Sequence, residues 1–288
     1  MAVPKVAAIN DLSGLGKCSL TAAIPILSVC GVQAVPMPTA VLSNQTAFES
    51  YTGIDLSMDM PMIAAEWKKR KVSFDGIYTG YLSGVSQVEW VEQFMQEFAN
   101  PQTKIFVDPV LGDEGVYYRG FGDEMCQAMK KLCGKADVIT PNLTEVLFLL
   151  GKKADLKAES QNLEQIRSYA KQLSQLGPKT VIITGVSQGE KIWNIGYSAK
   201  EDSFFEVMTE GRDGPEEQCV ETEIKSGFAQ ICDSLKPPYD EIARAYYLQE
   251  KTVAEIARDR SMNSKTIQTQ IYRARDMLKK KYRREDLK

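Results

Sequence analysis

Over roughly its first two hundred residues the chain alternates short apolar segments with longer amphipathic ones, and this alternation restricts the fold more than any other feature. The short segments are rich in β-branched residues, as expected of strands buried on both faces of a parallel sheet. The longer segments carry apolar residues at three-to-four spacing, the period of a helix packed on a sheet. The alternation predicts a doubly wound α/β sheet with right-handed crossovers. The predicted strands are Val3–Ile9, Val32–Met37, Phe74–Thr79, Lys104–Val107, Ala136–Ile139 and Thr180–Thr184, and the predicted helices are Ser19–Cys30, Pro61–Lys71, Val85–Ala99, Asp123–Cys133 and Glu159–Leu176.

The alternation ends near Gly211. Two strand-like runs, Lys191–Tyr197 and Ser203–Val207, first predict a hairpin at the sheet edge. A polar stretch with two glycines and a proline, Thr209–Glu217, then indicates a loop. We therefore predict a mostly parallel α/β domain over residues 1–210, a linker with a connecting helix over 211–235 and a small all-α domain over 236–288. The helices predicted beyond the loop are Glu216–Leu235, Tyr239–Gln249, Thr252–Asp259 and Ser264–Arg284.

The composition excludes several classes of protein. The chain is 43% hydrophobic and 25% charged, as globular proteins are, and no stretch approaches the roughly 20 apolar residues of a membrane span. It has no histidine, and its six cysteines form no C-x-x-C pair, so a Cys/His zinc site and histidine-based acid–base catalysis are not expected. The N-terminus has the pattern of a strand and not of a signal peptide. We expect a cytoplasmic protein with reduced thiols and no membrane contact.

Charge is distributed unevenly along the chain. The segment Lys251–Lys288 holds twelve Lys or Arg and five Asp or Glu, a net charge of +7. The rest of the chain carries a net charge of −10, although the whole has only −3. An acidic body with a basic end predicts that the end alone meets a polyanion.

A glycine-rich segment, Asp11–Leu20, follows the first predicted strand. Glycines between a strand and a helix let the backbone approach a ligand, and a helix N-terminus favours anions. The segment is not a Walker A loop, because that motif would need Gly at Asp11 and Ser or Thr at Cys18. A plain strand-to-helix turn is the alternative interpretation.

Two further segments, Thr39–Thr46 and Thr79–Gly84, also follow predicted strands. Open α/β sheets bind ligands at the carboxyl ends of their parallel strands. Tyr81 could stack on a flat heteroaromatic ring there, or it could be a core aromatic whose hydroxyl is hydrogen-bonded.

Acidic and amide side chains follow the next two predicted strands. Asp108 and Asp113 come after one strand, and Asn142 and Glu145 come after the other. Oxygen ligands of this kind suit Mg²⁺, which usually keeps waters and bridges to substrate phosphates. The alternative is helix N-capping, which Asn142 or Thr144 could supply without a metal.

Taken in order, these segments resemble the pyridoxal/pyridoxamine kinases of the ribokinase-like family. The shared motifs are D-L-S-G-x-G-x-C-S-L from Asp11, T-A-V-L-S-N-x-T from Thr39, Y-T-G-Y-L from Tyr78, V-D-P-V-x-G-D from Val107 and I-T-P-N-L-T-E from Ile139. The resemblance covers residues 3–207. It implies a ribokinase-like fold, vitamin B6 salvage by ATP- and Mg²⁺-dependent phosphorylation of the 5′-hydroxymethyl group of pyridoxal, pyridoxine or pyridoxamine, and a homodimer.

The same resemblance implies roles for individual residues. Asp11, Thr46 and Tyr81 would surround the pyridoxal ring. A second group of residues would hold Mg²⁺ and the phosphates of ATP. Asp108 and Glu145 would be the metal ligands, and the other members are Asp113, Asn142 and Thr184.

The chain departs from the family at two places. Gln45 stands where the family usually has His, which weakens a role in contacting the ring because Gln does not titrate near neutrality. The family's G-T-G-D motif, with its anion hole and its catalytic Asp, is absent from the sequence. Asp213, within Gly211–Gly214, is a weak candidate for the missing base because its glycines stand in a different order.

The last fifty or so residues resemble the helix-turn-helix of sigma-factor region four. The resemblance rests on Glu255-Ile256-Ala257 and Thr266-Ile267, although the family usually has Leu and Gly where Arg260 and Ser261 stand. The second helix would enter the major groove of duplex DNA. The residues expected to contact DNA are Lys265, Gln268, Thr269 and Arg273. The alternative is a solvated basic helix that packs on a partner or on the kinase-like part of the chain.

Three interpretations of function stay open at this point. The chain could be a pyridoxal kinase whose activity is impaired by the missing motif. It could instead be a B6-binding pseudokinase fused to a DNA-binding transcriptional module. It could also be a recombined reading frame in which neither function is optimised.

Overall fold

The computed structural model describes residues 3–46, 48, 50–152, 159–160, 162–210, 232, 235–249 and 251–285. The backbone divides into two compact units. The larger unit comprises residues 4–25 and 33–213, and the smaller comprises residues 1–3, 26–32 and 214–288. Asp213 and most of the predicted linker and connecting helix, residues 211–235, lie outside the described residues.

The described elements alternate as predicted up to the hairpin and are helical after it. The strands are β1 Lys5–Leu15, β2 Gln33–Asn44, β3 Gly53–Asp55, β4 Gly76–Thr79, β5 Lys104–Val107, β6 Gly112–Asp113, β7 Val116–Tyr117, β8 Val138–Ile139, β9 Thr180–Gln188, β10 Lys191–Ser198 and β11 Ser203–Glu210. The helices are α1 Ser19–Val29, α2 Met60–Lys69, α3 Val85–Phe98, α4 Asp123–Cys133, α5 Leu143–Leu150, α6 Leu163–Ser174, α7 Tyr239–Ala243 with a π-helical turn Arg244–Leu248, α8 Val253–Asp259 and α9 Ser264–Glu285.

The larger unit is built on one nine-stranded sheet with the order β11-β10-β9-β8-β5-β4-β1-β2-β3. The six strands from β9 to β2 in this order are parallel, whereas β3, β10 and β11 run antiparallel to their neighbours. The chain passes from β1 to β2 on one side and later returns to β4 on the other side of β1. The topological switch point, where ligands bind in open α/β sheets, therefore lies between β1 and β4.

The core of the larger unit is one continuous cluster of apolar side chains on the sheet and its helices. Aromatic rings dominate the part beneath α2 and α3, where Phe94 and Phe98 stack with ring centroids 4.4 Å apart. Trp67 meets Phe74 edge to face at 5.6 Å. These contacts pack the helices firmly against the sheet. The side chains at the carboxyl ends of the strands, by contrast, are largely polar.

Several strands run past their predicted ends, among them β9, which continues past Thr184 to Gln188. Two of these ends, those of β1 and β2, lie in the motifs. β1 continues past Ile9 to Leu15, so that the first half of the glycine-rich segment is strand and the turn begins at Gly16. Leu12, Ser13 and Leu15 pair with β2, which itself continues to Asn44. A bulge between Asn10 and Leu12 shifts the register of this pairing and turns polar side chains into the protein.

Several short elements were not anticipated. β3 adds an antiparallel strand at one edge, and β6 with β7 forms a two-stranded hairpin outside the main sheet. Helix α5 is almost entirely apolar and buried, so its sequence shows no alternation of polar and apolar faces. The β10–β11 hairpin, by contrast, is confirmed as an antiparallel pair.

The smaller unit contains two helices joined by a tight turn. Thr252 and Glu255 form a capping box at the start of α8. The helix ends in a Schellman motif, in which the Met262 N–H donates to the Ala257 carbonyl at 2.8 Å and Ser261 adopts a left-handed φ of 51°. Asn263 then caps α9, since its side chain accepts from the Lys265 N–H at 2.8 Å.

The core of this helix pair consists of residues that the sequence also indicates as apolar contacts. Ile256 and Ile267 are buried with Ile242 and Ala257, and Ile271 packs against them. Along the part of the chain that the structure describes, no helix is both long and apolar enough to cross a membrane.

Candidate active site

The switch point between β1 and β4 is built around the Asn10 side chain. Its Oδ1 accepts from the backbone N–H of Asp11 at 3.0 Å and from that of Tyr81 at 2.8 Å. Gly80 makes this possible, because a Cβ at that position would lie 2.2 Å from Asn10 Nδ2. One buried amide therefore holds β1, just past its pairing with β4, and the residues that follow β4 in fixed relation.

Asp11 and Tyr81, both predicted to contact a substrate ring, lie together at this point. Asp11 is only 3% exposed and accepts a hydrogen bond from the Ser13 hydroxyl at 2.7 Å. Burial raises the pKa of Tyr81 to about 12, and the charges of Asp11 and Asp55 act in the same direction. The Tyr81 hydroxyl is thus a neutral group in an acidic environment, suited to donate to a ligand's acceptor.

Thr46, the third predicted ring contact, lies apart from this pair. It is exposed beyond the end of β2, and within the described ranges no hydrogen bond joins its hydroxyl to Asp11 or Tyr81. Gln45 packs against the turn after β1, where a Cβ on Gly16 would lie 3.1 Å from Gln45 Oε1. That oxygen is buried and has no hydrogen-bond partner among the described residues.

An aromatic residue that the sequence reasoning missed lies against Tyr81. Phe121, in the loop between β7 and α4, stacks on the Tyr81 ring with centroids 5.8 Å apart and an angle of 22°. Tyr81 can stack on a flat ligand only on the face that Phe121 does not cover, or after Phe121 moves. Nothing in the local sequence pattern indicates this contact, because the residues are forty positions apart.

A pair of coupled carboxylates lies at the carboxyl ends of β5 and β8. Loss of hydration raises the pKa of Asp108 to about 7, against a hydrogen bond from Thr140 that lowers it. Burial raises the pKa of Glu145 well above its ordinary range, and the charge of Asp108 raises it further. Burial, together with the charges of Asp108 and Asp11, also raises the pKa of Tyr78. Asp108 is therefore electrostatically coupled both to Glu145 and to the switch point.

Glu145 has a structural role in addition to any ligand role. It forms a capping box with Asn142 at the start of α5. The Glu145 side chain accepts from the Asn142 N–H at 2.8 Å, and Asn142 Oδ1 accepts from the Glu145 N–H at 2.9 Å. Its other oxygen accepts from the Leu111 N–H at 3.1 Å. Capping by Asn142, which the sequence leaves open as an alternative to metal binding, is thus present.

The remaining predicted phosphate-binding residues lie at the same edge of the sheet. Thr184 pairs with Asn142 as an isolated parallel bridge, and its N–H donates to the Pro141 carbonyl at 3.0 Å. Asn142 Nδ2 donates to the Gly112 carbonyl at 2.9 Å and so attaches the β6–β7 hairpin. Asp113 stands on that hairpin with an exposed side chain that caps the Glu114 N–H at 2.8 Å.

The carboxylates fit a hard divalent cation. Two dehydrated carboxyl groups with raised pKa repel each other when ionised, and a cation between them would relieve this. No cluster of three or more acidic or thiol side chains that could hold a metal occurs in the described ranges. Mg²⁺ would therefore need waters and substrate phosphates for most of its coordination, which is its usual mode in kinases.

This arrangement predicts how stability depends on pH. A carboxyl whose pKa is raised in the folded state stabilises the fold below its unfolded pKa and loses that contribution as pH rises through the folded value. In the presence of a chelator, we expect the unfolding free energy to fall between about pH 4 and about pH 7, by about 1.4 kcal/mol for each unit by which folding raises the pKa of Asp108. Mg²⁺ should restore stability at the upper end of this range.

Thermal unfolding of Asp108→Asn across this range is the measurement. The variant should lack the part of the fall that comes from Asp108 and show a smaller fall, because burial still raises the pKa of Glu145. The control Asp113→Asn removes an equal but exposed charge and should follow the parent chain. An identical pH profile for Asp108→Asn and the parent would contradict the assignment.

The residues predicted to contact DNA lie on one helix of the smaller unit. Lys265, Gln268, Thr269 and Arg273 are all exposed on α9. Tyr272, on the same helix, is 71% exposed. The first three turns of α9 therefore present a polar and basic surface that is not used by the core.

Comparison with known proteins assigns the larger unit. The family model for phosphomethylpyrimidine kinases matches residues 19–214. A pyridoxal kinase from Dictyostelium discoideum is 28% identical over 189 residues, which cover 64% of this chain and 60% of that protein. The chain therefore matches less than two thirds of the length of this relative.

Solved structures agree with the observed fold. A Bacteroides thetaiotaomicron protein described as a phosphomethylpyrimidine kinase, crystallised with pyridoxal, is 40% identical, with a TM-score of 0.70 over 86% of this chain and 87% of its own. A pyridoxal kinase from Lactobacillus plantarum is 23% identical, with a TM-score of 0.64 over 94% of this chain and 98% of its own, and shares the ribokinase-like fold. Because the family model matches more than half of the chain, the chain belongs to the phosphomethylpyrimidine kinase family.

Proposed function

We propose that this chain is a kinase of the vitamin B6 type, which binds a pyridoxal-like ring at the switch point between β1 and β4. The observation that carries the proposal is the meeting of two groups of side chains at one edge of the sheet. Asp11 and Tyr81 supply a polar, aromatic surface at the ends of β1 and β4. Asp108 and Glu145 supply the carboxylates at the ends of the next strands.

The roles follow from this placement. Tyr81 would stack on the ring, Asp11 would accept from a ring substituent, and Thr46 would approach only if the segment after β2 folds over the ligand. Asp108 and Glu145 would hold Mg²⁺, while Asn142, Thr184 and the hairpin residue Asp113 would face the phosphates of ATP. Mg²⁺ in such a site neutralises the charge that develops on the transferred phosphoryl group.

The relatives support a substrate of this chemistry. The Bacteroides thetaiotaomicron protein was crystallised with pyridoxal, and the family takes its description from phosphomethylpyrimidine. Pyridoxal and hydroxymethylpyrimidines are both six-membered nitrogen heteroaromatics that carry a primary hydroxymethyl group. A homodimer stays a prediction from the resemblance alone.

We expect Tyr81→Ala to weaken pyridoxal binding by about two- to tenfold, the loss of one aromatic stacking contact of about 0.5–1.5 kcal/mol. Isothermal titration calorimetry of the full chain measures this. The matched variant Tyr81→Phe keeps the ring and removes only the hydroxyl, so it should bind more nearly as the parent does. An absence of binding heat with pyridoxal, pyridoxine and pyridoxamine for the parent chain would overturn the proposed function.

A second candidate function is DNA binding by the smaller unit, with the larger unit acting as a B6-binding pseudokinase. It is favoured by the Schellman turn between α8 and α9, which has the form of a helix-turn-helix, and by the exposed polar surface of α9. The family match ends at residue 214, so this function stays a proposal. Lys265 and Arg273 would contact phosphates, and Gln268 and Thr269 would face base edges.

A further inference from the structure

The backbone of Tyr81 is held by two buried side chains on the neighbouring strands. Its N–H donates to Asn10 Oδ1, and its carbonyl accepts from the Thr39 hydroxyl at 2.8 Å. Thr39 lies on β2, is fully buried, and stands 42 positions away along the chain. Because both peptide groups are tied in this way, the direction in which the Tyr81 side chain leaves the backbone is set by β1 and β2.

A buried amide, Gln87 in the first turn of α3, completes this arrangement. It is 1% exposed and makes three hydrogen bonds. Its Nε2 donates to the Thr39 carbonyl and to the Ser57 hydroxyl, both at 2.9 Å. Its Oε1 accepts from the Ser83 N–H at 2.8 Å. Gln87 thereby joins β2, the segment after β3 and the segment after β4.

A second contact fixes the same segments from the outside. The Ser83 hydroxyl hydrogen-bonds Asp55 on β3, and Asp55 also accepts from the Ser57 N–H at 2.8 Å. These hydrogen bonds lower the pKa of Asp55 against the effect of burial, and Asp55 contributes to the raised pKa of Tyr81. The network therefore holds the segment Tyr81–Ser83, which carries the Tyr81 ring at the switch point.

Such a network is not needed for packing. An apolar side chain of similar volume would fill the site of Gln87, whereas a buried amide is tolerated only when its hydrogen bonds are made. Networks that are fully hydrogen-bonded hold one geometry and resist others. The benefit here falls on the segment from Tyr81 to Ser83, which carries the proposed ring-binding side chain.

We propose that Thr39 and Gln87 are positioning residues that set the Tyr81 ring for its substrate. This inference rests on the proposed function, since it takes Tyr81 as the residue that stacks on the ring. Neither residue need touch the ligand. Their effect is exerted through the backbone of Tyr81 and should vanish when the Tyr81 ring is removed.

The test is a set of pyridoxal titrations on the full chain. Thr39→Val keeps the shape of the side chain and removes the hydroxyl, so the dissociation constant for pyridoxal should rise about three- to tenfold. Thr39→Ser retains the hydroxyl and should bind as the parent does. Gln87→Met should change the constant in the same direction as Thr39→Val.

A matched control separates positioning from stability. Thr103 is 6% exposed, and its hydroxyl donates to the Phe74 carbonyl at 2.7 Å at the opposite end of the sheet. Thr103→Val loses the same kind of donated hydrogen bond and also the one that the Thr103 hydroxyl accepts from the Asn100 N–H at 3.0 Å. It should lower the unfolding temperature at least as much as Thr39→Val, yet leave the pyridoxal constant unchanged. If Gln87→Met does not fold, the three threonine variants still decide the matter.

A double-mutant cycle gives the sharpest outcome. In a Tyr81→Ala background, Thr39→Val should change the pyridoxal constant by less than about twofold, because residues that act through one another are not additive. The inference is overturned if Thr39→Val binds as tightly as the parent, if Thr39→Ser is equally impaired, or if the effect persists without the Tyr81 ring. Absence of pyridoxal binding by the parent chain would instead overturn the proposed function, and this inference with it.

Discussion

Turnover of pyridoxal with Mg-ATP by the purified chain is expected to be at least about 100-fold below the range of about 1–100 s⁻¹ that is ordinary for kinases. The reason is the absence of the G-T-G-D motif that would begin the helix after the β10–β11 hairpin. A positioned general base contributes about 10²–10⁴-fold, and one donor to a developing oxyanion about 10²–10³-fold. These contributions need not multiply, because groups that act as a unit are not additive.

The described residues offer no obvious replacement for the missing base. The chain has no histidine, and Glu145 caps the start of α5, while Asp108 is a proposed metal ligand whose charge raises the pKa of Glu145. Asp213 lies outside the described residues and stays a weak candidate. The measurement is steady-state turnover of the parent chain beside Asp213→Ala. Turnover near about 1 s⁻¹ would contradict the expected impairment, and its loss in Asp213→Ala would assign the base to that residue.

The second large effect concerns duplex DNA. If the smaller unit binds it through about four to six phosphate contacts, the affinity should fall about 100- to 2,000-fold between about 50 and 200 mM salt. The physical reason is the release of counterions that Lys and Arg side chains displace from the phosphates. The local net charge of +7 over Lys251–Lys288 and the exposed surface of α9 motivate the expectation.

Fluorescence anisotropy of a labelled duplex with the full chain measures this dependence. Lys265→Ala and Arg273→Ala should each reduce the slope of log affinity against log salt by about 0.9. Lys200→Ala removes an exposed charge from the turn between β10 and β11 and should leave the slope unchanged. A flat salt response, or equal effects of all three variants, would show that the basic end of the chain does not contact DNA.

The order of strands and helices in the larger unit could be predicted from sequence. The secondary structure of the motif segments could not. Asn10, Asp11 and Ser13 are polar and near glycines, which is typical of a loop. In the structure they are 4%, 3% and 1% exposed within β1 and just past its bulge. A strand that buries polar side chains at a ligand site lacks the alternation of polar and apolar residues by which a strand is distinguished from a turn.

Other elements were missed from the sequence for different physical reasons. Helix α5 is buried on nearly every side, so Leu143–Leu150 has no polar face to reveal a helical period. The starts of α8 and α9 could be predicted from sequence, because Thr252 and Glu255 have the capping-box spacing and Asn263 is a capping residue directly before α9.

The site residues also divide into those that could be predicted from sequence and those that could not. Asp11, Tyr81, Asp108 and Glu145 could be named because each follows a strand within a recognisable motif. Of the residues that orient them, Thr39 begins one of the shared motifs but has no predicted role there, and Asn10, Gln87 and Phe121 lie outside the motifs. Asn10, Thr39, Gln87 and Phe121 act through contacts between segments that are 40 or more positions apart. Only the folded sheet brings such partners together.

The most direct test of the central claim is a crystal structure of this chain with pyridoxal and Mg-ADP. The account predicts the pyridoxal ring at the carboxyl ends of β1 and β4, in contact with Tyr81 and Asp11. It also predicts Mg²⁺ within coordination distance of the Asp108 carboxylate, with the phosphates facing Asn142. Pyridoxal bound elsewhere in the chain, or a metal that avoids Asp108, would contradict it.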